Sequence, residues 1–464
     1  MFQRLHAFGF VRMKYFVLLL ALIVGSYYII ASPGVLEADA SQYHEMALGL
    51  TSGQGFILEG EVSMEREPLY PLFRAGLLML GIDVSGVLWV QLAFLIFALW
   101  VFMLVFERFS HAQALWSGAI AAVYPGFMIW PSLHLSESLS IFLLAIFCYL
   151  YDRALSHDAA LRQSWWKFCM LGIVCGLLIL TKAAYLLLPI VIVIAICFQS
   201  KVAKLSKASL FFVLVLAVLM PWLYRNHVRF DRWSITNRSG WMVYARGIKT
   251  EFSWGQLLQT GASVLVGESV LVWLDPEARP IVRQQWVEPL QSVIAMRKEG
   301  VSYVEIDRVF MERGKEKLFS HPANLLRYAA WIPIEMVRLL AFVSPRSPLF
   351  NVEQMFIVEA RAEALSWFKI VLLAVLHFFQ FVWIVSIFTG LVILLRRGLF
   401  FQINIVLVLY TIGIYVLFDS IARYSAPVFP LLVSLACVGF GWHVSGLKTF
   451  SRFLSKLAFL KPAR

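Results

Sequence analysis

The sequence predicts an all-α polytopic membrane protein with about ten transmembrane helices, a large outer loop region and an interfacial amphipathic helix. Of its 464 residues, 60% are hydrophobic and only 15% are charged, and the mean hydropathy is +0.77. Soluble globular chains are roughly 45–50% apolar and about 25% charged. A single soluble domain cannot bury so many apolar residues, because a domain of this size still needs a polar exterior. Cytosolic enzymes, secreted disulfide scaffolds and disordered chains are therefore excluded.

Ten apolar segments have the length and composition of helices that cross a bilayer, which need roughly 20 mostly apolar residues. The long apolar run at residues 168–198 is interpreted as two spans that break at Thr181-Lys182, because about 30 apolar residues exceed one crossing. In chain order, the predicted spans lie near residues 13–31, 87–106, 114–131, 138–151, 168–181, 183–198, 209–223, 367–395, 399–418 and 427–445.

One further apolar segment, residues 325–343, carries three charged side chains. This composition favours an amphipathic helix lying at the membrane surface over an eleventh span. The helix would close the large outer region of the chain.

The formal net charge is +12. The excess Lys and Arg lie in the loops and termini on one side of the predicted spans. An excess of Lys and Arg marks the cytoplasmic side of a membrane protein, so this charge indicates topology and not nucleic-acid binding. With both termini inside, the loops at 32–86 and 224–366 face outward. We therefore expect an N-terminal transmembrane module (1–223, containing the outer loop 32–86), a periplasmic or outer loop region (224–366), and C-terminal transmembrane helices with a basic cytoplasmic tail (367–464).

The five cysteines all lie inside apolar runs, where cysteine packs as a small hydrophobe. The sequence contains no CxxC pair and no cysteine set with metal-ligand spacing, so neither a disulfide framework nor a zinc site is predicted. No metal or other cofactor is expected.

The most informative polar stretch follows the first predicted span. Two carboxylates, Glu37 and Asp39, lie two residues apart there, and Tyr43 and His44 follow on what the pattern predicts to be an amphipathic helix. Asp39 suits the cap of that helix as well as it suits a functional carboxylate, and the residues alone leave both interpretations open. Farther along the same loop, a charged pair that begins with Arg66 precedes two prolines.

Charged residues also lie at the outer ends of several predicted spans. Glu137 begins the fourth span, where a carboxylate is costly unless it faces protein or a wet cavity, although the helix dipole favours it by a few tenths of a kcal/mol. Lys182, Arg225 and Arg423, the last followed by Tyr424, are basic residues at the outer boundary. Snorkelling to the interface is one explanation. Together they also suit a membrane-embedded lipid phosphate, since arginine binds phosphate in a bidentate manner and stays charged when desolvated.

In this order the motifs resemble those of the GT-C superfamily of polyprenyl-phosphate-sugar-dependent glycosyltransferases, and in particular the protein O-mannosyltransferases and the lipid A aminoarabinose transferases. The resemblance runs from about residue 13 to residue 445. Its pieces are Asp39 with Tyr43, His44 and Ala47; Gly53-Gln-Gly55-Phe56; Arg66-x-Pro68-x-Tyr70-Pro71; Ser136-Glu137; Leu180-Thr181-Lys182; Pro221-Trp222-x-x-Arg225-Asn226; His321-Pro322; and Arg423-Tyr424-x-x-Pro427-x-x-Pro430.

The resemblance implies roles for these residues. Asp39 falls at the position of the catalytic base, and Glu137 at that of the second outer-loop acid. The protein mannosyltransferases carry an adjacent Asp-Glu pair where this chain has Glu37-Ala-Asp39, so Glu37 is a further candidate, and residues 230–320 receive no assignment. Tyr43 and His44 are the other site candidates. The donor phosphate is expected to be bound by Arg66, Lys182, Arg225, Arg423 and Tyr424.

The function that the resemblance implies is an inverting transfer of a hexosyl or pentosyl group from an undecaprenyl-phosphate-linked sugar to a hydroxyl of a glycan, lipid or protein acceptor. It would occur at the outer, periplasmic face of a bacterial cytoplasmic membrane, without nucleic acid and without a metal. A lipid-linked sugar transporter is one alternative, but no inverted repeat with broken helices is visible. An O-antigen ligase or polymerase also combines many spans with a large outer loop, but the acid-centred first loop favours the glycosyltransferase.

Overall fold

The computed structural model describes residues 2–155, 164–200, 202–266, 271, 274–275, 284–341, 367–418 and 422–458. Helices dominate this part of the chain, which confirms the predicted all-α class. They are α1 (Phe2–Ala31), α2 (Asp39–Thr51), α3 (Leu69–Met79), α4 (Val84–Glu107), α5 (His111–Val123), α6 (Pro125–Met128), α7 (Glu137–Ala154), α8 (Trp165–Thr181), α9 (Leu188–Gln199), α10 (Lys204–Phe230), α11 (Ser239–Lys249), α12 (Trp254–Val266), α13 (Gln284–Lys298), α14 (Tyr303–Phe319), α15 (Pro322–Leu340), α16 (Trp367–Arg396), α17 (Ile403–Phe418) and α18 (Phe429–Ala458). Short 3-10 turns cover Trp130–Ser132, Ala183–Tyr185 and Ala422–Val428.

The chain is a multi-pass membrane protein. Within the described residues, five helical segments are long and apolar enough to cross a bilayer, or six if the bent pair α5 and α6 forms one span. The five are Val11–Ala31, Val84–Glu107, Lys204–Phe230, Ala374–Arg396 and Arg423–His443. The other predicted spans coincide with the shorter helices α7, α8, α9 and α17, so a helix lies at each of the ten predicted positions.

The predicted break in the long apolar run is confirmed. Helix α8 ends at Thr181, Lys182 has extended backbone angles (φ −150°, ψ 117°), and a 3-10 turn leads into α9. The break frees the backbone N–H of Ala183, which donates to Glu67 Oε1 at 3.0 Å. The lysine therefore leaves the helix where the first outer loop meets this pair of spans.

A second break separates α5 from α6, with a bend of 75° between the two segments. Tyr124 is extended there because the following Pro125 disfavours helical angles at the residue before it. The chain after α1 packs closely on the end of this broken span: the Gly34 N–H donates to the Ser132 carbonyl at 2.7 Å, and a Cβ on Gly34 would lie 2.8 Å from that same oxygen. Residues 133–136, which lead into α7, thereby come to lie beside the first outer loop.

The first outer loop contains a small element that the sequence analysis did not predict. Strands β1 (Ile57–Leu58) and β2 (Glu61–Val62) pair antiparallel, and Glu59 and Gly60 both have positive φ, as a two-residue type I′ hairpin requires. Glu59 accepts hydrogen bonds from Arg297 Nη2 at 3.0 Å and from the Tyr303 hydroxyl at 2.8 Å. The first outer loop and the helices of the large polar region therefore lie on the same side of the spans.

The predicted amphipathic helix is α15, which packs on α11 of the large polar region; residues 342–343 of the prediction lie outside the described part. Its buried face carries Trp331, Glu335 and Arg338. Glu335 contacts Lys249, Arg246 Nη1 at 3.3 Å and Arg338 Nη1 at 3.7 Å. A buried carboxylate is stable only when paired. Because these cations pair with Glu335, the charged face of α15 packs against the protein.

Candidate active site

Asp39 is the first residue of α2, and its carboxylate does not cap that helix. The N-cap position belongs to Ala38, whose φ is +47°. The Asp39 oxygens are bound by side chains: Oδ1 accepts from Arg66 Nη2, and Oδ2 lies 3.4 Å from Arg423 Nη1. The capping interpretation is therefore wrong, and the functional role of Asp39 stays a prediction.

Glu137 is the first residue of α7 and has a fully buried side chain. Its Oε1 accepts from Lys182 Nζ at 2.9 Å and from Arg423 Nε at 2.5 Å. Its Oε2 has no hydrogen-bond partner among the described residues. The helix dipole is thus a minor term beside two direct ion pairs, and Glu137 faces protein, as a carboxylate at a span boundary must.

Arg423 joins the two acids. It precedes α18 in the 3-10 turn Ala422–Val428, and its guanidinium bonds Glu137 through Nε and Asp39 through Nη1. The side chains of Arg423 and Lys182 are 9% and 11% exposed. Both cations point inward to carboxylates and do not snorkel to the interface. The first outer loop, the start of α7, the break before α9 and the turn before α18 therefore meet at one cluster.

Arg66 is held on the opposite side of Asp39. Its Nε donates to Gln42 Oε1 at 2.6 Å, and its guanidinium lies 5.4 Å from the centroid of the buried Tyr43 ring. Tyr43 in turn packs edge-on against Tyr70, with ring centroids 4.9 Å apart. The hydrogen bonds to Gln42 and Asp39 and the contact with the Tyr43 ring therefore hold the Arg66 side chain in place without a ligand.

Burial raises the pKa of Asp39, but the charges of Arg66, Arg423 and Arg238 outweigh it and hold the pKa well below its usual range. Asp39 is consequently ionised at neutral pH. A carboxylate with two arginine partners is a weak base, so its basicity depends on whether those arginines stay bound to it.

Lys182 also lies against the predicted residue Tyr424. Its Nζ is 5.7 Å from the centroid of the Tyr424 ring, and that ring stacks on Tyr415 with centroids 4.6 Å apart. The aromatic face therefore forms one wall beside the cations of the cluster.

Three predicted site residues have other surroundings. Arg225 Nη1 donates to Asn226 Oδ1 at 2.8 Å, and its guanidinium lies 4.6 Å from the Trp222 ring centroid; within the described part of the chain it has no contact with the acidic cluster. Glu37 is exposed. His44 Nδ1 lies 3.0 Å from Arg74 Nη2 and not beside Asp39.

Two further charged residues of this region were not predicted from the sequence. Glu67 accepts the Ala183 N–H; it stands beside Arg66 in the charged pair, and that position was its only signal. Arg238 Nε lies 3.2 Å from Glu65 Oε1, and its charge acts on Asp39. It comes from the outer region that received no assignment, and no motif marks it.

Among the residues that the structure describes, no group of three or more His, Cys, Asp or Glu side chains is arranged to hold a metal ion. The residues of the cluster supply two carboxylates, three buried cations and adjacent tyrosine rings. This set can bind an anion and accept a proton.

Residues 66–224 match the sequence model of the family described as dolichyl-phosphate-mannose-protein mannosyltransferase. The matched segment is about a third of the chain, and it agrees with the resemblance to the GT-C glycosyltransferases. It includes Arg66, Glu137 and Lys182, whereas Asp39 and Arg423 lie outside it. The comparison with curated proteins finds no match.

Two kinds of solved structure are similar to this chain. ArnT from Cupriavidus metallidurans bound to undecaprenyl phosphate is 16% identical with a TM-score of 0.41, over 91% of this chain and 78% of that one. The archaeal oligosaccharyltransferase AglB from Archaeoglobus fulgidus, in complex with an inhibitory peptide and a dolichol-phosphate, is 14% identical with a TM-score of 0.47. That alignment covers 97% of this chain and 52% of AglB.

Proposed function

We propose that this chain is a glycosyltransferase of the GT-C type, which transfers a hexosyl or pentosyl group from a polyprenyl-phosphate donor to an acceptor hydroxyl with inversion at the anomeric carbon. The observation that carries the proposal is the pair of acids that share Arg423, with Arg66 and Lys182 on either side. The site combines a proton acceptor with preorganised cations, which is what this reaction requires.

The chemical step is a single displacement. Asp39 accepts the proton of the acceptor hydroxyl as its oxygen forms a bond to the anomeric carbon. The bond between that carbon and the phosphate oxygen breaks, and its electron pair leaves with the polyprenyl phosphate. General-base assistance of this kind contributes roughly 10²–10⁴-fold to a rate, and attack from the face opposite the leaving group inverts the anomeric centre.

Stabilisation of the leaving phosphate falls to the cations. Arg66, Lys182 and Arg423 are buried or nearly so, and such cations stabilise developing negative charge more strongly than they would in water. The Tyr424 ring lies beside Lys182 in the same cluster. Arg225 lies apart from the cluster, and its part in phosphate binding stays a prediction.

Donor binding would also activate the base. When the donor phosphate takes hydrogen bonds from Arg66 and Arg423, these arginines share their charge with a second anion. The pKa of Asp39 then rises toward its ordinary range, because less positive charge stabilises its ionised form. Glu137 keeps Arg423 and Lys182 in place, so it serves as a positioning residue and not as the base.

The remaining assignments are the acceptor and the compartment. We assign the acceptor hydroxyl to a glycan, lipid or protein, and the reaction to the periplasmic face of a bacterial cytoplasmic membrane. The charge distribution supports that orientation.

The direct test is a transfer assay. The purified protein is incubated with radiolabelled undecaprenyl-phosphate sugars and a panel of candidate acceptors, and the product is analysed by chromatography and by NMR for its anomeric configuration. We expect transfer with inversion. Movement of intact donor across liposomes without cleavage of its sugar would point instead to a transporter.

A further inference from the structure

Arg74, in α3, is a second buried arginine outside the acidic cluster. Its side chain is completely buried, and its Nη2 lies 3.0 Å from His44 Nδ1. Its Nε and Nη1 have no hydrogen-bond partner among the described residues. Arginine is almost never fully buried without a partner for its charge, and each buried unmet donor costs free energy.

Among the residues that the structure describes, the groups in contact with Arg74 supply no negative charge. His134 is also buried, and its Nδ1 has no hydrogen-bond partner in the described part of the chain. Burial, together with the charge of Arg74, lowers the pKa of His134 to about 4 and lowers that of His44 as well. Both imidazoles are therefore neutral at pH 7, and the three residues together carry one positive charge.

The polar groups next to this cluster are already engaged with one another. The Tyr70 hydroxyl donates to Gln91 Oε1 at 2.7 Å, and Gln91 Nε2 donates to the carbonyls of Pro131 and Leu133 at 3.1 and 2.8 Å. The Arg74 guanidinium lies 5.9 Å from the Tyr70 ring centroid. The Tyr70 hydroxyl also interacts with Arg74, but these groups are neutral and supply no charge that would balance the arginine.

The cluster is also separate from the candidate active site. Asp39 and His44 lie five positions apart on α2, which places them about 140° apart around the helix. The edge-on rings of Tyr43 and Tyr70 stand between the two arginines, since Arg66 lies over the Tyr43 ring and Arg74 over the Tyr70 ring. The acids of the active site pair with other cations.

We propose that Arg74, His44 and His134 form a second oxyanion site that binds a phosphate group, apart from the site of sugar transfer. The unused N–H groups of Arg74 supply the donors, and His134 can donate from Nδ1 in the corresponding tautomer. His44 is the half-buried member of the three, so the ligand enters on its side. The phosphate comes either from a lipid headgroup of the outer leaflet or from inorganic phosphate.

The first arm of the test measures inorganic phosphate binding to the purified full-length protein by isothermal titration calorimetry at constant ionic strength. The cations of the active site should bind phosphate as well, so we expect two sites in the wild type, of which Lys182→Gln weakens only the one at the active site. Arg74→Gln should keep the active-site binding and weaken the second site about ten- to a hundred-fold, as expected for the loss of charge-assisted hydrogen bonds. If Arg74→Gln is not monodisperse, Arg74→Lys replaces it, with the same direction of change.

The second arm identifies the source of the phosphate. The same variants are placed in nanodiscs that contain phosphatidic acid and phosphatidylcholine, and retained lipid is counted by native mass spectrometry. Retention of phosphatidic acid that is lost in the Arg74 variants, but not in Lys182→Gln, assigns the site to a lipid headgroup. Equal phosphate and lipid binding by the wild type and the Arg74 variants, or no saturable binding by the wild type in either arm, overturns the proposal.

Discussion

Arg423 and Glu137 form a buried ion pair in which the arginine Nε lies 2.5 Å from the carboxylate Oε1, although the residues are 286 positions apart in the chain. The same arginine reaches Asp39 through Nη1. Arg423 therefore connects the C-terminal helices both to Glu137 at the start of α7 and to Asp39 in the first outer loop. The arrangement of the candidate base depends on helices from both ends of the protein.

The first prediction concerns this ion pair. Glu137→Gln leaves Arg423 and Lys182 buried beside a neutral amide, and removing one partner of a buried pair typically costs about 3–5 kcal/mol. We expect a markedly lower thermal unfolding midpoint in detergent, measured by the loss of the monodisperse peak after heating.

The matched control is Glu107→Gln, which makes the same chemical change. Glu107 pairs with Lys14 at 2.8 Å but is partly exposed, and such pairs contribute about 0–1 kcal/mol. Equal midpoints for the two variants would mean that the Glu137 cluster adds nothing beyond an ordinary surface pair.

The second prediction concerns pH. Because Arg66 and Arg423 hold the pKa of Asp39 below its usual range, Asp39 in the free enzyme loses its base function only at a pH below about 4. Arg66→Gln removes one of those charges, so the pKa of Asp39 rises and the acid limb of kcat/KM moves to higher pH. The limb is measured from transfer rates at subsaturating donor, since kcat/KM reports the free enzyme.

Arg238→Gln provides the comparison for the pH experiment. Arg238 is partly exposed and its effect on Asp39 is smaller than those of Arg66 and Arg423, so the shift of the acid limb should be smaller. An acid limb that stays in place in Arg66→Gln would show that Asp39 is not the group that titrates.

The positions of the helices could be predicted from the sequence because the bilayer fixes the length of an apolar segment. The break at Thr181-Lys182 followed from the same length argument, and it places Lys182 beside Glu137. Candidate acids were visible because a carboxylate at a span boundary is costly without a partner. These signals are local, so each could be detected within a few neighbouring residues.

The partners of those residues could not be predicted in the same way. Nothing near Arg423 in the sequence indicates that it bonds Glu137 and Asp39, because that contact depends on how the last helices pack against the first. Arg225 occupies a motif similar to those of the other cations, yet it packs on Trp222. The hairpin at residues 57–62 is too short to show an alternating pattern, and Arg238 stands in a region without a motif.

The third prediction concerns topology. Glu61 and Ser302 are exposed on the outer region, whereas the exposed Arg397 follows α16 at the opposite end of its span. In a background with the five native cysteines replaced by serine, Glu61→Cys and Ser302→Cys should react with an impermeant thiol reagent in intact spheroplasts. Arg397→Cys should react only after lysis. The reverse labelling pattern would invert the orientation.

The last prediction concerns Asp39 itself. An amide has no useful basicity near neutral pH, so Asp39→Asn removes a general base while it keeps the size of the side chain. We expect a folded protein whose transfer rate falls by about 10²–10⁴-fold. The rate is measured with saturating donor, so that weaker phosphate binding does not hide the chemical step.

Asp83→Asn is the control that separates catalysis from helix capping. Asp83 is the N-cap of α4, and its Oδ1 accepts the Gly86 N–H at 2.7 Å. Asn caps a helix about as well as Asp, so this variant should keep both its unfolding midpoint and its activity. Asp39 differs because its partners are arginines and not the amides of its own helix. Near wild-type transfer by folded Asp39→Asn would therefore exclude Asp39 as the base, since the cap explanation does not apply at this position.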